Sequence, residues 1–267
     1  MRTDKMKVTS IQLDMRFCDI EYNYEHSEKL IREAVSNEKP DVIVLPETWT
    51  TGFYPTQSLH AYCDENGERI KAKFSSLAKE LNVNIAAGSV ATLKDGKAYN
   101  TAYIFSRNGE CVAEYDKTHL FTPMDEDKFF EFGSHTCTFE LDGVKCGIII
   151  CYDVRFPELT RTLALDGIEM LFVVSQWPDK RIPHLETLTR ARAIENQMFV
   201  VCCNSCGKAD GTVFGGASQT VDPLGNVIAK AGSGEEVITA ECDFGVIKEI
   251  RESINVFRDR KTKIYNI

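Results

Sequence analysis

Residues 144–159 read VKCGIIICYDVRFPEL. Val144–Ile150, ending in the apolar run Ile148–Ile150, has strand length behind the turn pair Asp142-Gly143, which predicts a hairpin with Phe139–Leu141. An apolar run without alternation belongs to a strand covered on both faces, the mark of a layered α/β fold. Pro157 suits the first turn of a helix, so the chain passes from strand to helix through Cys151. In α/β sheets the carboxyl ends of strands form the crevice where ligands bind. The turn aims backbone N–H groups at the thiol, which predicts a lowered pKa and supplies oxyanion donors.

Two further segments repeat this placement. The buried run DVIVL at Asp41–Leu45 delivers Glu47 at its end, and the strand-like CVAEYD at Cys111–Asp116 delivers Lys117. Between and beyond them the two periodicities interleave along the chain. Strands are predicted at Lys7–Leu13, Val83–Val90, Tyr99–Phe105, Met170–Val174, Met198–Cys203, Gly216–Val221 and Val237–Glu241. Helices are predicted at Glu21–Ser36, ended by Pro40, around Ile70, Phe74, Leu77 and Leu81, at His184–Gln197 and at Val246–Ser253. The fold class is α/β in a single domain over residues 1–267, with a basic tail from about residue 254 as an arm. Strand and helix recur in the same order before and after about residue 140, without a repeat at fixed period.

The 267 residues, 43% hydrophobic, suffice for one large core without disulfides or a structural metal. A formal net charge of −9 repels phosphate backbones and anionic head groups, which excludes nucleic acid and membrane as expected partners. The opening MRTDKMKVTSIQL lacks an apolar leader core, so the expected location is cytoplasmic. Ten cysteines scattered through apolar segments read as small buried hydrophobes rather than a disulfide framework. Cys203-Asn-Ser-Cys206 has CxxC spacing, yet no second ligand pair accompanies it, and no metal is expected.

Glu47, Lys117 and Cys151 together suffice for acyl transfer: a carboxylate takes the thiol proton and a lysine holds the tetrahedral oxyanion. Taken singly, each has a plainer reading, as a helix-start acid, a solvated charge and a core thiol.

The strings LPETWTTGF (45–53), YDKTHLF (115–121) and GIIICYDVRFPEL (147–159) jointly resemble the catalytic blocks of the nitrilase, or carbon–nitrogen hydrolase, superfamily. Further similar blocks are Gly88–Val90 with Tyr99–Phe105, Arg190–Gln197 and Gly215–Ile228, so the resemblance covers nearly the whole chain. It implies a four-layer αββα sandwich, usually a homodimer, needing no cofactor. It implies Glu47 as general base, Lys117 as oxyanion stabiliser and Cys151 as nucleophile. A second glutamate falls on Glu126, with Glu131 as the alternative in MDEDKFFEFG, a segment that could form a lid.

Within the superfamily, CYDVRFPEL and SQWPDKR (175–181) most resemble the bacterial ω-amidases, which deamidate 2-oxoglutaramate and 2-oxosuccinamate. Such a substrate carries a remote carboxylate, and Arg155 and Arg181 could grip it with paired hydrogen bonds. Arg155 could equally be an ion-pair partner of Asp153 or Glu158. Trp177 walls the acyl pocket or packs in the core, and the N–H of Tyr152 joins the oxyanion site. His119 is read as structural, since the superfamily uses no catalytic histidine. Alternatives are an N-carbamoyl-amine hydrolase with the same triad, a catalytically silent binding subunit, and a thiol-redox protein using Cys203 and Cys206. A nitrilase proper fits less well, because its nucleophile block reads CWE where this chain has Cys151-Tyr-Asp.

Overall fold

A computed structural model describes residues 3–265. The strands are β1 (Lys5–Gln12), β2 (Val42–Val44), β3 (Asp64–Glu65), β4 (Asn84–Lys94), β5 (Lys97–Phe105), β6 (Cys111–Asp116), β7 (Thr138–Leu141) and β8 (Val144–Ile150). They continue with β9 (Met170–Ser175), β10 (Phe199–Asn204), β11 (Lys208–Ala209), β12 (Thr212–Val213), β13 (Gln219–Val221), β14 (Val227–Lys230) and β15 (Glu236–Asp243). The helices are α1 (Ile20–Glu38), α2 (Leu59–Tyr62), α3 (Glu68–Leu81), α4 (Pro157–Leu165), α5 (Ile182–Asn196) and α6 (Gly245–Ser253).

One sheet runs β15-β1-β2-β4-β5-β6, with β3 on the rim of β4; the other runs β14-β13-β10-β9-β8-β7. Both follow one plan. Three parallel strands form each centre, β1-β2-β4 and β8-β9-β10, flanked by an antiparallel strand on one side and an antiparallel hairpin on the other. The pseudo-repeat is thus topological, and no repeated sequence accompanies it.

Alternation along β2 shows how the layers stack. Val42 and Val44 point into the core shared with Ile148–Ile150 and Leu171–Val174 of the second sheet, whereas Ile43 and Leu45 pack with Ile31 of α1 and Phe74 of α3. On the far side Leu159, Leu163 and Leu185 of α4 and α5 close the second sheet. The result is helices, sheet, sheet, helices, the four-layer αββα sandwich.

Where boundaries differ from expectation, a cap or an edge decides. α1 ends on Lys39 in the left-handed conformation, whose N–H returns to the Val35 carbonyl, one residue ahead of Pro40. β14 carries no clear apolar alternation because it is a largely exposed edge strand, so periodicity overlooks it.

One bulge prepares the site. β4 shifts register between Ala86 and Ser89, and at Gly88, with φ +63°, a Cβ would lie 1.9 Å from the Pro46 carbonyl oxygen. Only glycine permits that approach. It brings the Ser89 hydroxyl within 3.0 Å of the Thr48 N–H, fixing the turn that carries Glu47.

Candidate active site

Glu47 leaves the end of β2, Lys117 the end of β6 and Cys151 the end of β8, and all three line one cavity. The cavity's empty space, counting its mouth, is about 500 Å³, within the range of small-molecule sites. The Glu47 N–H donates to the Ser175 carbonyl at 3.3 Å, so the end of β2 is tied across the sandwich to the end of β9.

Lys117 is 2% exposed, and its Nζ donates to Glu47 Oε1 at 2.7 Å and to Glu126 Oε1 and Oε2 at 2.9 and 2.8 Å. Glu126, itself buried, rides on a 3₁₀ turn whose geometry is closed by the Phe121 N–H donating to its Oε2 at 2.6 Å. Glu131 takes no part: half-exposed, it faces Lys97 at 3.7 Å. The other Glu47 oxygen accepts the Gln176 N–H at 2.8 Å, and Asn100 Nδ2 donates to both glutamates.

Cys151 sits at φ +47° and the neighbour of Glu47, Thr48, at φ +42°. Non-glycine residues hold that conformation only where their surroundings over-determine it. For Cys151 the surroundings centre on Asp153, fully buried, which accepts from the Ile150 N–H at 3.0 Å, Tyr115 Oη at 2.8 Å and the His119 N–H at 2.9 Å. The His119 ring adds its Nδ1 at 2.8 Å and stacks on Phe156 at 3.7 Å. His119 therefore braces the nucleophile turn against the Lys117 segment and does not line the cavity.

The strand-to-helix turn predicts a lowered thiol pKa, and the structure gives the opposite. Burial pushes the Cys151 thiol well above its ordinary value and the Glu47 carboxylate adds to this; Lys117 and the Gln176 N–H oppose them and are outweighed. Burial works against the Lys117 ammonium, but Glu126 and Glu47 overcome it, and its pKa stands well above the usual lysine value. Burial also raises the Glu126 carboxyl, with Lys117 lowering and Glu47 raising it. The resting site holds a neutral thiol beside a permanent cation, so a thiolate must be made by proton transfer.

Arg155 and Arg181 also line the cavity. Arg155 lies 4.7 Å over the Trp177 ring and donates to His184 Nδ1 at 3.3 Å. It pairs with neither Asp153 nor Glu158. Asp153 is already occupied, and among the described residues no ion pair holds either arginine. Arg181 lies 5.1 Å over Phe121 and its carbonyl accepts the Trp177 indole N–H at 2.8 Å. Trp177 is both cavity wall and core: 3% exposed, its backbone N–H donates to Asn204 Oδ1 at 2.7 Å. Tyr152 lines the cavity with its ring edge-on to Phe121 at 4.9 Å.

The Cys203 and Cys206 thiols are free and buried. Burial raises both, Cys206 to about 12, and Cys203 donates to the Ile11 and Val44 carbonyls at 3.4 and 3.3 Å. They belong to the packing between sheets, which contradicts a thiol-redox reading.

Comparison with known proteins accords with this arrangement. The carbon-nitrogen hydrolase family model matches residues 7–252. This chain belongs to the carbon-nitrogen hydrolase family. It is 41% identical to the 2-oxoglutaramate amidase of Bacillus subtilis over 98% of this hydrolase and 100% of that protein. It is 35% identical to the Staphylococcus aureus "hydrolase in agr operon" over 97% and 100%. The crystal structure of a branch 10 nitrilase-superfamily member from Saccharomyces cerevisiae superposes with a TM-score of 0.90 at 30% identity, over 96% of the hydrolase and 97% of that chain.

Asn100, Gln176 and Asp153 are the site residues that sequence reading misses. Asn100 lies in the block YNTAYIF and Asp153 in CYDVRFPEL, but nothing local says whose side chains they meet.

Proposed function

We propose that this hydrolase releases ammonia from short dicarboxylate monoamides of the 2-oxoglutaramate and 2-oxosuccinamate type through a thioester on Cys151. The observation that carries the reading is one cavity holding Cys151, Lys117 between two glutamates, and two guanidiniums without carboxylate partners among the described residues. The name of the Bacillus subtilis relative supports the same substrate class.

Glu47 takes the Cys151 proton as the sulfur lone pair forms the C–S bond to the amide carbon, and the carbonyl π pair becomes an oxyanion. Lys117 Nζ and the Tyr152 N–H hold that oxyanion; one such donor is worth about 3 kcal/mol of transition-state stabilisation. The C–N bond breaks as Glu47 returns its proton to nitrogen, releasing ammonia. Water then adds to the thioester with its proton passing to a glutamate, and cleavage of the C–S bond restores the thiol and frees the acid. Glu126, raised by burial, keeps Lys117 in place and shares the proton traffic. Arg155 and Arg181 grip the remote carboxylate, with Trp177 as the acyl wall.

All ten cysteines are free, which supports a cytoplasmic site of action. Exposed Ile254 and Ile264 on the C-terminal arm support a homodimer contact, testable by sedimentation.

The test is ammonia release by the wild type and Cys151→Ala from 2-oxoglutaramate, 2-oxosuccinamate, a neutral aliphatic amide and an N-carbamoyl amino acid. Cys151-dependent turnover favouring the oxo-acid amides is expected. Turnover of the carbamoyl compound alone would transfer the function to an N-carbamoyl-amine hydrolase.

A further inference from the structure

Asn100 is 1% exposed within β5, the antiparallel neighbour of β4 in the first sheet, and its Nδ2 stands 2.9 Å from Glu47 Oε1 and 3.2 Å from Glu126 Oε1. Lys117 Nζ donates to those same two oxygens at 2.7 and 2.9 Å. Two carboxylates are thus bridged twice, once by a cation and once by a neutral amide. The bridge is also built into the backbone, because the Lys117 N–H donates to the Asn100 carbonyl at 2.9 Å.

The amide's own oxygen shows what fixes its orientation. Asn100 Oδ1 is buried with no hydrogen-bond partner among the described residues. An orphan buried acceptor is costly, and native proteins keep few without a reason. Rotating the amide would turn that oxygen onto two carboxylates, so both N–H bonds are kept and the acceptor is left unmatched. A neutral donor is also what the chemistry needs here. A second cation would satisfy both glutamates but would hold the Glu47 proton-accepting pair too tightly to take a thiol proton.

Building on the hydrolytic reading above, we infer that Asn100 is a positioning residue that keeps Glu47 and Glu126 together on Lys117 and Glu47 oriented to take the Cys151 proton. Removing its two N–H groups makes the pocket more negative, so the Glu126 carboxyl and the Cys151 thiol both become harder to ionise.

The experiment compares wild type, Asn100→Ala and Asn100→Ser by the pH dependence of kcat and KM for 2-oxoglutaramate, and by the pH dependence of Cys151 alkylation with iodoacetamide. Asn100→Ala should lower kcat about 10- to 100-fold, as loss of hydrogen bonds to charged groups does, with KM little changed. The acid limb of the kcat profile and the alkylation midpoint should both move to higher pH. Asn100→Ser, retaining one short donor, should fall between, and it decides the matter if the alanine variant does not fold. Profiles and midpoint superposable on wild type in a folded variant would overturn the inference, whatever the change in kcat. If wild type does not turn over the amide, the substrate reading fails, while the alkylation midpoint still decides the role of Asn100.

Discussion

Replacing Lys117 with methionine tests whether the site's charges are as tightly bound as its geometry implies. The side chain is 2% exposed and touches carboxylates at 2.7 and 2.8 Å. With an effective dielectric constant near 20, each contact carries about 6 kcal/mol of attraction. Desolvation of three buried charges consumes most of it. Removing the cation leaves two acids facing each other unpaired, and breaking buried pairs in this way costs about 3–5 kcal/mol. At this chain length that corresponds to a Tm lower by about 10 °C. The loss should depend on pH. Glu126 already has a folded-state pKa above its ordinary value through burial, and without Lys117 it rises further. A carboxyl raised on folding destabilises above its folded pKa and is relieved as it protonates, so the deficit should be largest near pH 8 and shrink toward about pH 5. Urea unfolding of wild type and Lys117→Met at several pH values reads this directly. A deficit below about 1 kcal/mol, or one independent of pH, would mean that Lys117 does not stabilise the two buried acids.

Arg155→Ala and Arg181→Ala should each raise KM for 2-oxoglutaramate about tenfold or more, as expected for a lost charged hydrogen bond, and leave turnover of a neutral aliphatic amide unchanged. Equal effects on both substrates would assign the arginines to packing around Trp177 and Phe121 instead. His119→Asn keeps a donor for Asp153 and should retain measurable activity with an unaltered KM, whereas His119→Ala should lose part of kcat. Complete loss in a folded asparagine variant would mean that the ring itself takes part in chemistry.

The fold was legible because its signals are local. DVIVL and GIIIC are unbroken apolar runs, which only strands buried on both faces tolerate, and the Asp142-Gly143 turn fixes the hairpin that ends at Cys151. Edge strand β14 was not legible, since exposure leaves it without a pattern. At the site, strand ends and the superfamily resemblance point to Glu47, Lys117 and Cys151. The choice of Glu126 over Glu131 needs the 3₁₀ turn that folds one inward and leaves the other facing Lys97. Asn100 and Asp153 act through partners distant along the chain: Asn100 meets Glu126 and Glu47, 26 and 53 residues away, and Asp153 meets His119 and Tyr115, 34 and 38 residues away. The direction of the Cys151 pKa is hidden from the sequence for a related reason. A helix-like turn is visible in sequence, but the burial and the Glu47 carboxylate that dominate the thiol arise only when the two sheets close.

Mass spectrometry of the intact protein, quenched during turnover of 2-oxoglutaramate, tests most directly whether Cys151 carries the acyl group. A transient adduct equal to the substrate less ammonia, mapped to Cys151, sensitive to hydroxylamine and absent from Cys151→Ala, is expected. Turnover at the wild-type rate with no adduct at any quench time, or an adduct on another residue, would contradict it.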